Sequence, residues 1–172
     1  MSKLYVGVDP GTTGAIASLH PEASGVAYDK IPSRVINGKQ RIDYPALLDI
    51  FRTLRGLLDG GVVGATQGHV VLELVHSMPR DAKSAAFSFG QSLGAIRMAI
   101  VAAGLPYTEI APQVWKKAML LAHERDGGKA GSILAVERIF PGFDLPRNPK
   151  GSVNHNACDA LMLAEWGRRG NL

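Results

Sequence analysis

The chain has 172 residues, a single cysteine and a formal net charge of +4; 46% of its residues are apolar and 20% charged. That length predicts one domain, residues 1–172, with a proper core, and the composition is ordinary for a soluble globular protein. Cys158 alone excludes an internal disulfide and fits a reducing compartment. No apolar run approaches the roughly 20 residues of a membrane span, and Met1-Ser2-Lys3 carries no signal pattern, so a cytoplasmic protein with no membrane partner is expected. Residues 1–79 carry 7 Lys/Arg against 7 Asp/Glu, and residues 80–172 carry 12 against 8. The basic excess lies wholly in the second half and permits a polyanionic partner.

Leu4 to Val8 is short, apolar and rich in β-branched and aromatic types, and predicts a buried strand. Asp9 ends it and Pro10-Gly11 turns the chain. Strands over 14–19 and 25–31 follow, completing a meander. Polar residues 33–41 predict a surface loop. Asp43 predicts the cap of a helix to about Asp59, with Leu47, Phe51, Leu54 and Leu58 at helical spacing and Gly60-Gly61 ending it. His69 to Val75 predicts a second buried strand with Glu73 inside it. A long helix over 82–103 buries Ala85, Phe89, Leu93, Ile96 and Ile100; its Gly90 and Gly94 predict close approach of another backbone. Pro106 to Ile110 predicts a short strand. Helices over 113–123, opened by Pro112, 129–140 and 155–168 follow, with polar loops at 124–128 and 144–154. This order predicts a mixed α/β architecture with helices on both faces of one sheet.

Three acids stand in apolar surroundings: Asp9 at a strand end, Glu73 within a strand, and Asp159 in Ala157-Cys158-Asp159-Ala160-Leu161. Ionising an acid there is unfavourable without a compensating partner. On a helix, Asn156 and His155 lie three and four residues before Asp159 and share its face. Two strand ends and a helix can bring Asp9, Glu73 and Asp159 together, and such an oxygen-rich set suits hard divalent cations. Each acid also has an ordinary structural reading, as a turn residue, a paired strand acid or a helix-dipole partner. Gly127-Gly128-Lys129 lacks the Ser or Thr of a phosphate loop, and the five histidines and one cysteine show no zinc-finger spacing. Trp115 and Trp166 read as core residues.

The ordered set Val6-Gly7-Val8-Asp9-Pro10-Gly11, Leu72-Glu73-Leu74-Val75, Met78-Pro79 with Phe87-Ser88-Phe89-Gly90, Ala111-Pro112-Gln113-Val114-Trp115-Lys116-Lys117, Ile139-Phe140-Pro141 and Ala157-Cys158-Asp159-Ala160-Leu161 resembles the RuvC-type Holliday junction resolvases, closest to those carried by phages. The resemblance covers nearly the whole chain. It implies an RNase H-like fold with a mixed five-stranded sheet, the first three strands antiparallel, and helices on both faces. It further implies a homodimer, two Mg²⁺ per active site with Mn²⁺ as a substitute, no small-molecule cofactor, and paired nicks across four-way DNA junctions that leave 5′-phosphate and 3′-hydroxyl ends. Asp9, Glu73 and Asp159 fall on three of the family's four metal-binding positions. The fourth is usually Asp or His and is Asn156 here, with His155 as a neighbouring substitute. Lys116, Lys117 and Lys129 fall with the family's DNA-contacting lysines, Arg80 is grouped with them, and His76 stands where relatives place a base-stacking aromatic. Two other readings stay open: a junction-binding protein weakened in cleavage by Asn156, and a nucleotide-binding protein of the actin and sugar-kinase type, whose first phosphate loop Asp9-Pro10-Gly11-Thr12-Thr13-Gly14 resembles.

Overall fold

A computed structural model describes residues 3–20, 25–61, 64–75, 82–170 and 172. Five strands, β1 (Lys3–Asp9), β2 (Ala15–Leu19), β3 (Val26–Lys30), β6 (Gln67–Glu73) and β7 (Tyr107–Ile110), form one sheet in the order β3-β2-β1-β6-β7. The meander β1–β2–β3 is antiparallel, while β6 joins β1 and β7 joins β6 in parallel. The expected mixed sheet is therefore present.

The alternation of side chains along β1 and β6 sorts the helices into two layers. Leu4, Val6 and Val8, with Val70 and Leu72, face α1 (Tyr44–Asp59) and α2 (Lys83–Ala102), meeting Leu47, Phe51, Ile96 and Ile100. Tyr5 and Val71 face the other way, toward α3 (Pro112–Met119), α5 (Gly131–Ile139) and α6 (His155–Gly170), meeting Trp115, Val136 and Leu161. Gly7 lies on this second face, and β1 and α6 touch closely there. A Cβ at Gly7 would overlap the carbonyl oxygen of Ala160 and stand 2.5 Å from the amide nitrogen of Ala164. Asp43 caps α1 as expected, accepting the amide of Ala46.

Four boundaries differ from expectation. Residues 33–41 are not a loop: β4 (Ser33–Ile36) and β5 (Lys39–Ile42) make a hairpin about Asn37-Gly38, both at positive φ, the backbone of a tight two-residue hairpin turn. It is tied to α2 by Arg41, which donates to Ser88 and Gln91. Strand β6 ends at Glu73 rather than Val75, so Glu73 is a strand-end acid. The helix expected over 113–123 breaks at Leu120, which is extended, and α4 (Ala122–Asp126) begins anew. The cause is remote in sequence. The Glu124 carboxylate accepts the amide of Leu121, while Arg138 of α5 donates both to Glu124 and to the Met119 carbonyl. Residues 128–130 form a 3₁₀ turn, and α5 starts only at Gly131.

Among the described residues, no atom lies within 4 Å of a Cβ built at Gly90 or Gly94, so none of the described backbone approaches α2 there. Instead Gly94 lines an apolar groove of about 480 Å³ with Tyr44, Leu48 and Met98. By length and mean hydropathy α2 would suffice to cross a membrane, against the reading of the sequence. Its Ile96 and Ile100 are buried on the sheet, and its Arg97 pairs with Glu109 of β7, so it serves as a layer of this fold.

Candidate active site

The register of the sheet builds the site. Val8 of β1 pairs with Leu72 of β6 in parallel, so the next residues, Asp9 and Glu73, end neighbouring strands side by side. Both share the side-chain face of Tyr5 and Val71, and that face meets α6. Helix α6 is started by Asn154, whose buried side chain accepts the amides of Asn156 and Ala157. Asp159, just beyond the first turn, then lies over the strand ends because Gly7 lets the helix settle on β1.

The three carboxylates feel one another. Burial, then the charges of Asp159 and Glu73, hold the Asp9 carboxyl well above the usual range. Burial chiefly raises Glu73, with Asp159 adding, while a hydrogen bond from Trp115 acts in opposition. Burial raises Asp159 against a hydrogen bond from Ser132. The ammonium of Lys116 pulls all three down, and His155 also lowers Asp159. The charge of Lys116 therefore reaches all three acids. Cys158 is buried, its thiol pushed up to about 12, so it offers no nucleophile.

The remaining expected residues fall as follows. Asn156 is not free: its Nδ2 donates to the Thr13 carbonyl at 2.6 Å, tying α6 to the β1–β2 turn. Asn156 and His155 line a groove of about 410 Å³ with Thr12, Thr13, Lys30 and Gln40. Lys117 is exposed on α3, and Lys129 is exposed in the turn before α5. His76 and Arg80 lie outside the described residues.

Two residues that sequence reasoning left out of the site touch it. Trp115, read as core, is wholly buried, and its indole N–H donates to Glu73 Oε1 at 2.9 Å. The signal was present, since a buried tryptophan needs a partner for its N–H. Ser132 of α5 donates to Asp159 Oδ1; nothing local in the sequence marks it.

The donor set, three carboxylates with an amide and an imidazole beside them, fits a hard divalent cation. Among the described groups, only Lys116, with His155 at Asp159, offsets the charge of these buried carboxylates. Among the described residues no three His, Cys, Asp or Glu side chains close on one point as a finished ion cage; Glu73 and Asp159 each have one oxygen turned onto a protein donor.

This strand order, with acids at the carboxyl ends of the two adjacent central strands and on the helix that crosses them, is the RNase H-like fold. Among solved structures the chain is similar to Thermus thermophilus RuvC in complex with a Holliday junction substrate, at 22% identity and a TM-score of 0.53, over 98% of this chain and 96% of that one. It is similar to a second Thermus thermophilus RuvC structure at 18% identity, with the same TM-score and coverage. No family model matches the sequence, and no curated protein does.

Proposed function

We propose that this chain is a metal-dependent endonuclease that resolves four-way DNA junctions as a homodimer, cutting phosphodiesters to leave 5′-phosphate and 3′-hydroxyl ends. The observation that carries the reading is the meeting of Asp9, Glu73 and Asp159 at the ends of β1 and β6 under α6, with Lys116 beside them. The similar Thermus structure, which holds a Holliday junction, supports the choice of branched DNA.

Asp9, Glu73 and Asp159 would hold the Mg²⁺ ions, or Mn²⁺ in their place, with His155 adjoining Asp159. Such cations, if bound, would supply activation of a water and stabilisation of the leaving oxygen of a phosphodiester. The protein's own part is to concentrate negative charge in a buried place and to set its geometry. Lys116 offers a positive charge to a phosphate drawn against the acids. Lys117 and Lys129 are exposed cations suited to backbone phosphates, which supply affinity rather than sequence choice.

Paired nicks require two such sites. The outer face of α2 suits a two-fold contact: Phe87 and Met98 are 67% and 63% exposed there, beside the groove at Gly94.

A labelled mobile four-way junction incubated with the protein, with Mg²⁺ and then with Mn²⁺, tests the proposal. Paired nicks that disappear in Asp9→Asn, Glu73→Gln and Asp159→Asn, with junction binding retained, are expected. Tight junction binding without cleavage in either metal would mark a junction-binding protein instead. Neither binding nor cleavage would overturn the reading.

A further inference from the structure

We infer that Trp115 and Ser132 are positioning residues for the cation site: each occupies one oxygen of a ligand carboxylate and leaves the other oxygen to the metal. The inference rests on the proposed function and deepens it.

The geometry is specific. Glu73 ends β6 and is 7% exposed. Its Oε1 accepts the Trp115 indole N–H at 2.9 Å, a hydrogen bond buried on both sides. Indole only donates, so Trp115 can stabilise a carboxylate but cannot compete with it for a cation. Trp115 packs wholly within the core on α3. A ring packed on all sides gives the Glu73 carboxylate a donor in one place. Ser132 plays the matching part for Asp159. It is 4% exposed in the first turn of α5, and its hydroxyl donates to Oδ1.

These two donors come from different helices and meet two acids on different elements, in a site where burial opposes every negative charge. A buried carboxylate with one hydrogen-bonded oxygen keeps its charge at a lower cost than a bare one. It also presents the second oxygen in one direction. Glu73 Oε2 and Asp159 Oδ2 take no hydrogen bond among those described, whereas the other oxygen of each does. The division predicts single-oxygen ligation by both residues. It also explains why α3 and α5 must pack against α6: they carry the orienting donors as well as the core side chains Val136 and Met119.

Groups that orient metal ligands typically contribute 10- to 100-fold to metal affinity or activity. Trp115→Phe keeps most of the ring volume and removes the N–H. Ser132→Ala removes the hydroxyl, and Ser132→Thr restores it. The primary measurement is Mn²⁺ binding by isothermal titration calorimetry on the whole, DNA-free protein. Cleavage against Mg²⁺ concentration and junction affinity in Ca²⁺ run alongside. Expected are a roughly tenfold or greater loss of Mn²⁺ affinity in Trp115→Phe and in Ser132→Ala, recovery in Ser132→Thr, a parallel rise in the Mg²⁺ needed for half-maximal cleavage, and unchanged junction affinity. If Trp115→Phe fails to fold, the Ser132 pair of variants carries the test. Folded variants that bind Mn²⁺ as tightly as the wild type would overturn this inference and leave the proposed function standing. A wild-type protein that binds no Mn²⁺ would overturn both.

Discussion

Gly7→Ala places one methyl group where β1 and α6 share no space. The added Cβ would overlap the carbonyl oxygen of Ala160 and lie 2.5 Å from the Ala164 nitrogen and 2.9 Å from Leu163 Cβ. The first two are backbone atoms of a helix, so no rotamer change relieves the clash and α6 must move off the sheet. Overpacking of this kind typically costs about 1–3 kcal/mol, and a rigid backbone obstacle puts Gly7→Ala at about 3 kcal/mol. For a chain of 172 residues each kcal/mol lowers Tm by about 2–4 °C, which gives a fall of about 6–12 °C. A loss of function should remain even where the protein is folded, because α6 carries Asp159 and β1 carries Asp9. Misplacing reacting groups by about 1 Å can cost about 100-fold in rate. Val6→Ala is the control: it empties about 2 kcal/mol of buried carbon on the opposite face of the same strand, with no push on α6. Circular dichroism melts give the two Tm values, and junction cleavage is then compared at a temperature where both proteins are folded. Gly7→Ala cutting as well as Val6→Ala, or melting with the wild type, would refute the argument that Gly7 sets the separation of the acids.

In chelator, Asp9→Asn should raise Tm, because burial, and then the charges of Asp159 and Glu73, disfavour the Asp9 carboxylate; a lower Tm in a thermal scan would show that Asp9 is satisfied without a cation. Glu124 is held below its ordinary range, first by its hydrogen bonds from Arg138. A carboxyl depressed on folding adds stability that is complete above its ordinary pKa and lost as pH falls through the depressed one. The wild type should therefore lose stability below about pH 4.5, and Glu124→Gln should flatten that part of an acid-titration melt. Arg138→Met, which strands the buried Glu124, should cost about 3 kcal/mol by denaturant titration, the low end because Arg138 is partly exposed. At the fourth ligand position, Asn156→Asp exchanges a donor to the Thr13 carbonyl for a repelling oxygen. It should lower Tm without lowering the Mg²⁺ requirement, while His155→Ala should raise that requirement; a metal titration with the reverse pattern would put the Asn156 oxygen on the cation.

Most of what positions the site was legible in the sequence. Apolar strands broken by Asp9, helical spacing after Asp43, and Asp159 three residues after Asn156 are local patterns, and local patterns decide strands, caps and shared helix faces. The hairpin over residues 33–42 escaped because, apart from Ile42 at its end, it buries almost nothing: Val35 is 73% exposed, so its strands carry no alternation. Its one signal was Asn37-Gly38, the residue pair that a two-residue hairpin turn favours. The break between α3 and α4 escaped because its cause, Arg138, lies 14 residues beyond Glu124. Trp115 and Ser132 illustrate the same limit. Residue type showed that a buried indole needs an acceptor, but only the packing of α3 against β6 and of α5 against α6 could say that the acceptors are Glu73 and Asp159.

The proposed nuclease requires Asp9, Glu73 and Asp159 to form one cation site. Crystals of the protein grown or soaked with Mn²⁺ and measured at the manganese absorption edge test this directly. Anomalous density is predicted between the ends of β1 and β6 and the first turns of α6, touching carboxylate oxygens of all three acids. Anomalous density elsewhere on the surface, with the three carboxylates bare, would contradict it.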